Sequence, residues 1–142
     1  MKSPYYVATT VNAYRRALDG TADTETLLSE LDCASHRSYS TGFLFGRDGA
    51  RSGAAGYTQS CLFIGPVLEV REGRCVVEMR GRFGLGDVLE VLSPRSLGQR
   101  VTVEDLRDDL GIPIPEAIRT QQHVSFRFEG TLEPGDILRK RL

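Results

Sequence analysis

Two segments of the chain echo each other, Leu85-Gly86-Asp87-Val88-Leu89-Glu90 and Pro134-Gly135-Asp136-Ile137-Leu138-Arg139, and each is a Gly-Asp turn feeding a short apolar strand. Glycine permits the positive φ that a tight turn needs, and the aspartate can satisfy nearby backbone amides. Short strands fill the rest of this region. Cys61 to Val70 is β-rich and broken by Gly65-Pro66, and an Arg71-Glu72-Gly73 turn leads into Arg74 to Arg80, where Cys75, Val77 and Met79 alternate with polar neighbours. Val88 to Leu92, Arg100 to Val103 and His123 to Phe128 follow, the last with Val124, Phe126 and Phe128 on one face and His123, Ser125 and Arg127 on the other. About five to seven such strands suit a small closed β-barrel, in which inward side chains fill the interior and no strand edge stays open.

The N-terminal third reads differently. Ser3-Pro4 is an N-cap and first helical residue, Val7, Val11, Tyr14 and Leu18 form a helical stripe, and Gly20 supplies a stop. Asp23 or Thr24 can cap a second helix through Leu27, Leu28 and Leu31 that ends near Cys33. The pair makes a helical hairpin whose stripe needs a surface to bury against, one that this chain need not itself supply. The expected division is therefore a helical hairpin with a polar His-Arg segment over residues 1–46, a flexible Gly, Ala, Arg and Ser loop over 47–56, and a mainly β barrel over 57–142.

At 142 residues there is room for one core, or for a small helical unit beside one barrel. A formal net charge of −1 gives no global sign of an electrostatic nucleic-acid or membrane binder, so any such surface must be local. No apolar run approaches the roughly 20 residues that span a bilayer, and the N-terminus lacks a signal-peptide pattern, so a cytoplasmic location without membrane partners is expected. Cys33, Cys61 and Cys75 are odd in number and widely spaced, against a disulfide framework or a metal cage, and they read as free thiols.

The opening Met1-Lys2-Ser3-Pro4-Tyr5-Tyr6-Val7-Ala8-Thr9 and the run Ser35-His36-Arg37-Ser38-Tyr39-Ser40-Thr41-Gly42-Phe43 carry a specific resemblance. Together they resemble the collagenase-like U32 peptidase family, whose members read Met-Lys-Ser-x-Tyr-Tyr-Val-Ala-Thr and Ser-His-Arg-Gly-Tyr-Thr-Thr-Gly-Phe. Similarity continues through Phe63-x-Gly65-x-Val67, Arg80-x-x-Phe83-x-x-Gly86-Asp87 and the closing Pro134 to Arg139. Ser38 stands where the family has glycine, and Gly81-Arg82 replaces its usual Asn-Lys. The resemblance maps to the C-terminal part of the family, so the chain is expected to be an accessory region, cut from or paired with a TIM-type catalytic barrel in cis or in trans. Some members are associated with hydroxylation of tRNA or rRNA bases, and an iron-sulfur cluster, where present, would belong to that missing barrel. The barrel here also resembles the second-domain barrel of translation elongation factors, by analogy.

Three function classes follow: an RNA-binding accessory domain, part of a peptidase acting on protein substrates, or a purely structural interaction module. No cofactor, metal site or catalytic residue is assigned to this chain. There is no Gly-x-Ser-x-Gly elbow, and two distant histidines match no ligand spacing. His36, Arg37, Tyr39 and Thr41 are candidates for substrate contact or for the domain junction, with no local carboxylate to orient the histidine. Arg74, Arg80, Arg82 and Arg127 share outward strand parity, and with the Arg139-Lys140-Arg141 tail they are the RNA-binding candidates, with Tyr57 available for stacking.

Overall fold

A computed structural model describes residues 3–46 and 56–142. The loop expected over 47–56 falls, apart from Gly56, outside the described residues. The chain divides into two compact units, Met1–Ser60 and Cys61–Leu142.

Unit 1 is built on α1 (Pro4–Asp19) and α2 (Thr24–Leu31). The Ser3 hydroxyl accepts from the Tyr6 amide at 3.2 Å, Pro4 opens the first turn, and Gly20 at φ 63° ends it with a left-handed cap. Asp23 caps α2 by accepting from the Thr26 amide at 2.9 Å. Tyr5, Thr9 and Ala13 are the buried residues of α1, and the Tyr5 hydroxyl donates to the Cys33 carbonyl at 3.1 Å. The sequence-derived stripe is therefore not the buried one: Val7, Val11, Tyr14 and Leu18 are 49 to 85% exposed. Small residues at 9 and 13 let α2 approach closely, and the bulkier apolar side chains lie elsewhere on α1. A two-stranded ribbon, β1 (His36–Arg37) with β2 (Tyr57–Thr58), completes the unit, fastened where the Ser60 amide donates to the Asp32 carbonyl at 2.9 Å.

Unit 2 is the barrel. Its strands are β3 (Cys61–Arg71), β4 (Arg74–Glu78), β6 (Val88–Leu92), β7 (Arg100–Thr102), β8 (Glu104–Arg107), β10 (His123–Arg127) and β11 (Ile137–Arg141), in the order β7-β6-β11-β3-β4-β10-β8. The two end strands, β7 and β8, are separated in sequence only by Val103, so the curled sheet is nearly closed by its own chain. A ribbon of β5 (Phe83–Gly84) and β9 (Glu116–Ala117) stands apart. Cys75, Val77, Met79, Val124 and Phe126 are at most 2% exposed and face the interior, with Phe128 half-buried against Phe126.

Gly65-Pro66 does not break the first strand: β3 runs through it with a register shift in its pairing to β11. The glycine is needed because a Cβ there would collide with the Glu78 carbonyl. Gly81 is under the same constraint, its missing Cβ leaving room for the Phe63 carbonyl while the Arg80 and Gly81 amides both donate to the Ile64 carbonyl. The family's asparagine would not fit this backbone. Ser38, by contrast, does not adopt a positive φ, so its replacement of glycine demands nothing unusual.

The two Gly-Asp turns are structurally equivalent. Asp87 accepts from the Gly84 amide and Asp136 from the Glu133 amide, both at 2.9 Å. Gly86 donates to the Val103 carbonyl at 2.9 Å while Val103 donates back to Asp87, and Gly135 and Val67 repeat the exchange with Asp136 at 2.8 Å. The sheet order β7-β6-β11-β3 is thus symmetric about the β6–β11 seam. Under that pseudo-two-fold, Glu90 and Arg139 are equivalent positions, and they lie directly opposite each other in the register.

Candidate functional site

In unit 1, His36 is 7% exposed and its ring is fully engaged. Nδ1 lies 2.6 Å from the Arg37 carbonyl and Nε2 lies 3.0 Å from Asp32 Oδ1. A carboxylate does orient this histidine, contrary to the sequence reading: Asp32 sits four residues earlier, just past α2, where helix spacing alone would not carry it. Tyr39 stacks on the imidazole with ring centroids 4.1 Å apart. Partial burial first, then nearby Tyr6, Asp32 and Tyr14, push the Tyr39 phenol above its ordinary pKa. Arg37 is exposed and extends its guanidinium over Tyr57, 5.5 Å from the ring centroid, across the β1–β2 pair. Thr41 is exposed and its carbonyl accepts from the Leu44 amide. The structure thus brings His36, Arg37 and Tyr39 together at the ribbon, and Phe43, Leu44 and Phe45, a few residues on in the chain, are exposed.

In unit 2 the basic candidates separate. Arg139 is not a surface residue: at 1% exposure it forms an ion pair with Glu90 at 3.1 Å, because the register sets the two side chains opposite each other. Arg141 and Arg100 converge on the same carboxylate, at 3.0 and 3.5 Å. Burial drives the Glu90 carboxyl upward, but the Arg141 hydrogen bond and the charges of Arg139 and Arg141 outweigh it and hold it below the usual range. Lys140 is engaged by Asp87 at 2.7 Å, Arg80 pairs with Glu78, and Arg82 grips Glu116 with both Nε and a terminal nitrogen. The hydrogen bond from Arg82 holds the Glu116 carboxyl below its ordinary pKa.

Arg74 and Arg127 do come together. They are direct cross-strand partners, and Arg71, which sequence parity did not single out, is directly opposite Arg74 on β3. The signal that could have found it is the hairpin itself: in a two-residue turn, the residues flanking Glu72-Gly73 must pair. Arg71, Arg74 and Arg127 line one open cleft of about 320 Å³ on the outer face of β3, β4 and β10.

No group of three His, Cys, Asp or Glu side chains among the described residues could hold a metal ion. The three thiols are buried and form no disulfide among the described residues, and burial pushes the Cys75 thiol up to about 12. These residues do not fit an iron-sulfur cluster. No helix among the described residues is long and apolar enough to cross a membrane.

Residues 59–139 match the family model described as the peptidase family U32 C-terminal domain. The chain belongs to peptidase family U32. Residues 1–54 match the model of peptidase family U32 itself, so the boundary between the two U32 models falls close to the boundary between the two structural units. The tRNA hydroxylation protein P1 of Bacillus subtilis (strain 168) is 31% identical over 152 aligned positions, covering 99% of this chain and 36% of that protein. The tRNA hydroxylation protein P of Escherichia coli (strain K12) is 33% identical over 126, covering 82% of this chain and 27% of that protein. This U32 chain therefore spans about a third or less of the length of the curated relatives it matches. A crystal structure of the C-terminal domain of a U32 peptidase from Geobacillus thermoleovorans has a TM-score of 0.53 at 28% identity, covering 57% of this chain and 93% of that one.

Proposed function

We propose that this chain is the accessory part of an RNA-modifying U32 protein, non-catalytic alone, whose unit 1 packs on a catalytic domain of TIM-barrel type and whose barrel helps hold the RNA substrate. The observation that carries the reading is the similarity along 99% of the chain to part of a tRNA hydroxylation protein. Two structural features support it. The exposed stripe Val7, Val11, Tyr14 and Leu18 is an apolar surface of the kind that marks an interaction site, and it lies in the unit that matches the U32 model proper. The barrel in turn carries three arginines in one row on its outer face. In this reading an iron-sulfur cluster belongs to the catalytic domain, and His36 and Arg37 act near the junction with it.

Fluorescence anisotropy with an unmodified tRNA transcript at several salt concentrations tests the RNA role. Saturable binding that weakens as salt rises is the expected outcome. Absence of saturable binding even at low salt would favour a purely structural module. Incubation with gelatin and casein tests the peptidase alternative. We expect no turnover, and cleavage that survives purification but disappears in His36→Ala would overturn the accessory reading.

A further inference from the structure

Like charges placed directly opposite across neighbouring strands destabilise a sheet. Unit 2 nevertheless sets Arg71 opposite Arg74 and Arg74 opposite Arg127, three guanidinium side chains in one row over three adjacent strands. Adjacent strands lie about 4.8 Å apart, so the row is compact. Its internal compensation is partial. Asp105, held at φ 43°, accepts from Arg74 through both its carboxylate and its carbonyl and also takes Arg107 at 2.9 Å. Asp105 is not itself among the residues lining the cleft. Arg127 reaches the same carboxylate only at 3.7 Å, beyond hydrogen-bond length. Arg71 pairs with Glu69 but is 81% exposed, where such a pair is weak and exchangeable.

The floor between these cations is formed by Val76 and Ser125, which are register partners. The Ser125 hydroxyl accepts from Arg74 at 3.2 Å, which leaves its O–H to donate into the cleft. Glu69 and Glu72 also line it, so an incoming anion takes the place of Glu69 on Arg71. We infer that this cleft seats a backbone phosphate of an RNA strand, held by the guanidinium groups of Arg127 and Arg71 and by the Ser125 hydroxyl, with Arg74 fixed by Asp105 as the central charge. Guanidinium forks match phosphate oxygens in geometry as well as charge. The site rests on the RNA-binding reading above, and it narrows that reading to one face of the barrel.

The test uses the full chain. Arg71 and Arg127 are both well exposed, so Arg71→Gln with Arg127→Gln removes two contacts without touching the Arg74–Asp105 anchor. The charge-matched control is Arg15→Gln with Arg119→Gln, two exposed arginines that do not line the cleft. Measured against tRNA, the cleft variant should lose about 1.5 units from the slope of log affinity against log salt, and the control should keep the wild-type slope and affinity. A second readout is the amide spectrum titrated with inorganic phosphate, in which Ser125 and Val76 should shift in wild type and not in the cleft variant. If both double variants weaken tRNA binding equally, binding is diffuse and the cleft is wrong although the RNA reading stands. If wild type shifts with inorganic phosphate but binds no tRNA, the RNA source is overturned. If tRNA binds wild type and cleft variant alike, the inference fails on its own.

Discussion

Phe126 and Arg127 are adjacent, yet one is fully buried and the other 67% exposed at its side chain. Phe126→Ala should cost about 3 to 5 kcal/mol, because the ring is surrounded by core side chains including Phe83 at a 5.9 Å centroid distance. Arg127→Ala should stay within about 0.5 kcal/mol. Urea unfolding of the two variants measures this, and equal midpoints would mean that the strand register is wrong. Period-two alternation made these residues legible: every apolar position assigned inward on β4 and β10 is buried, with Phe128 half-buried where β10 ends. Arg139 was not legible. Its parity points away from the barrel interior, and only the β6–β11 register shows that Glu90 meets it there and that the pair is buried together. His36 hid its partner for a related reason, since Asp32 belongs to the end of a helix and His36 to the start of a strand. Gly81 carries a purely steric prediction: Gly81→Ala should cost about 3 kcal/mol or more, because the new methyl would overlap a backbone carbonyl that cannot swing aside. A thermal melt indistinguishable from wild type would show that the chain does not approach itself so closely there.

The helix and the strand pairs were legible to different depths. Caps and stops of α1 and α2 follow from Ser3, Pro4, Gly20 and Asp23 as local chemistry, and the structure places them there. Which face of α1 is buried does not follow, because hydrophobic periodicity weights the bulky Val7, Val11, Tyr14 and Leu18 while close helix packing selects Thr9 and Ala13. The Gly-Asp echo proved more informative than its short length suggests, since each turn repeats the same four hydrogen bonds. At a two-fold seam, identical residues would face their own kind, and a charged residue would meet a like charge. Here the equivalent positions hold Glu90 and Arg139, which converts that conflict into an ion pair. Glu90→Leu alone should cost about 3 to 5 kcal/mol by stranding the buried Arg139, whereas Glu90→Leu with Arg139→Leu should be close to neutral. The acid limb offers an independent check. Because the native Glu90 pKa is depressed below 4.5, its contribution is present above that value and is lost as pH falls through the lower native one. The double leucine variant should therefore lose less stability than wild type between about pH 5 and pH 3. Additive single and double effects, with parallel acid limbs, would show that the pair is not coupled.

For the whole molecule, the division into two units has a testable energetic meaning. Unit 2 holds one continuous apolar cluster, from Ile64 through Leu138, in a nearly closed barrel. Among its described residues unit 1 buries few apolar side chains, chiefly Tyr5, Ala13, Leu27, Cys33 and Ala34, while leaving the α1 stripe exposed. A unit of that size with so small a core is marginal by surface-to-volume scaling. The related C-terminal domain from Geobacillus thermoleovorans was crystallised as a separate chain and covers a share of this one about the size of unit 2. A fragment of residues 61–142 should therefore give a dispersed amide spectrum and one cooperative melting transition. A fragment of residues 1–60 should be partly helical, melt without a sharp transition, and self-associate as concentration rises. Val11→Lys with Leu18→Lys should suppress that association, since both residues are more than half exposed and contribute little to the unit's own core. Sedimentation of the fragment with and without these substitutions decides the point. A monomeric 1–60 fragment that melts cooperatively would mean that the unit is self-sufficient, and the α1 stripe would lose its claim to be the surface on which a catalytic domain sits.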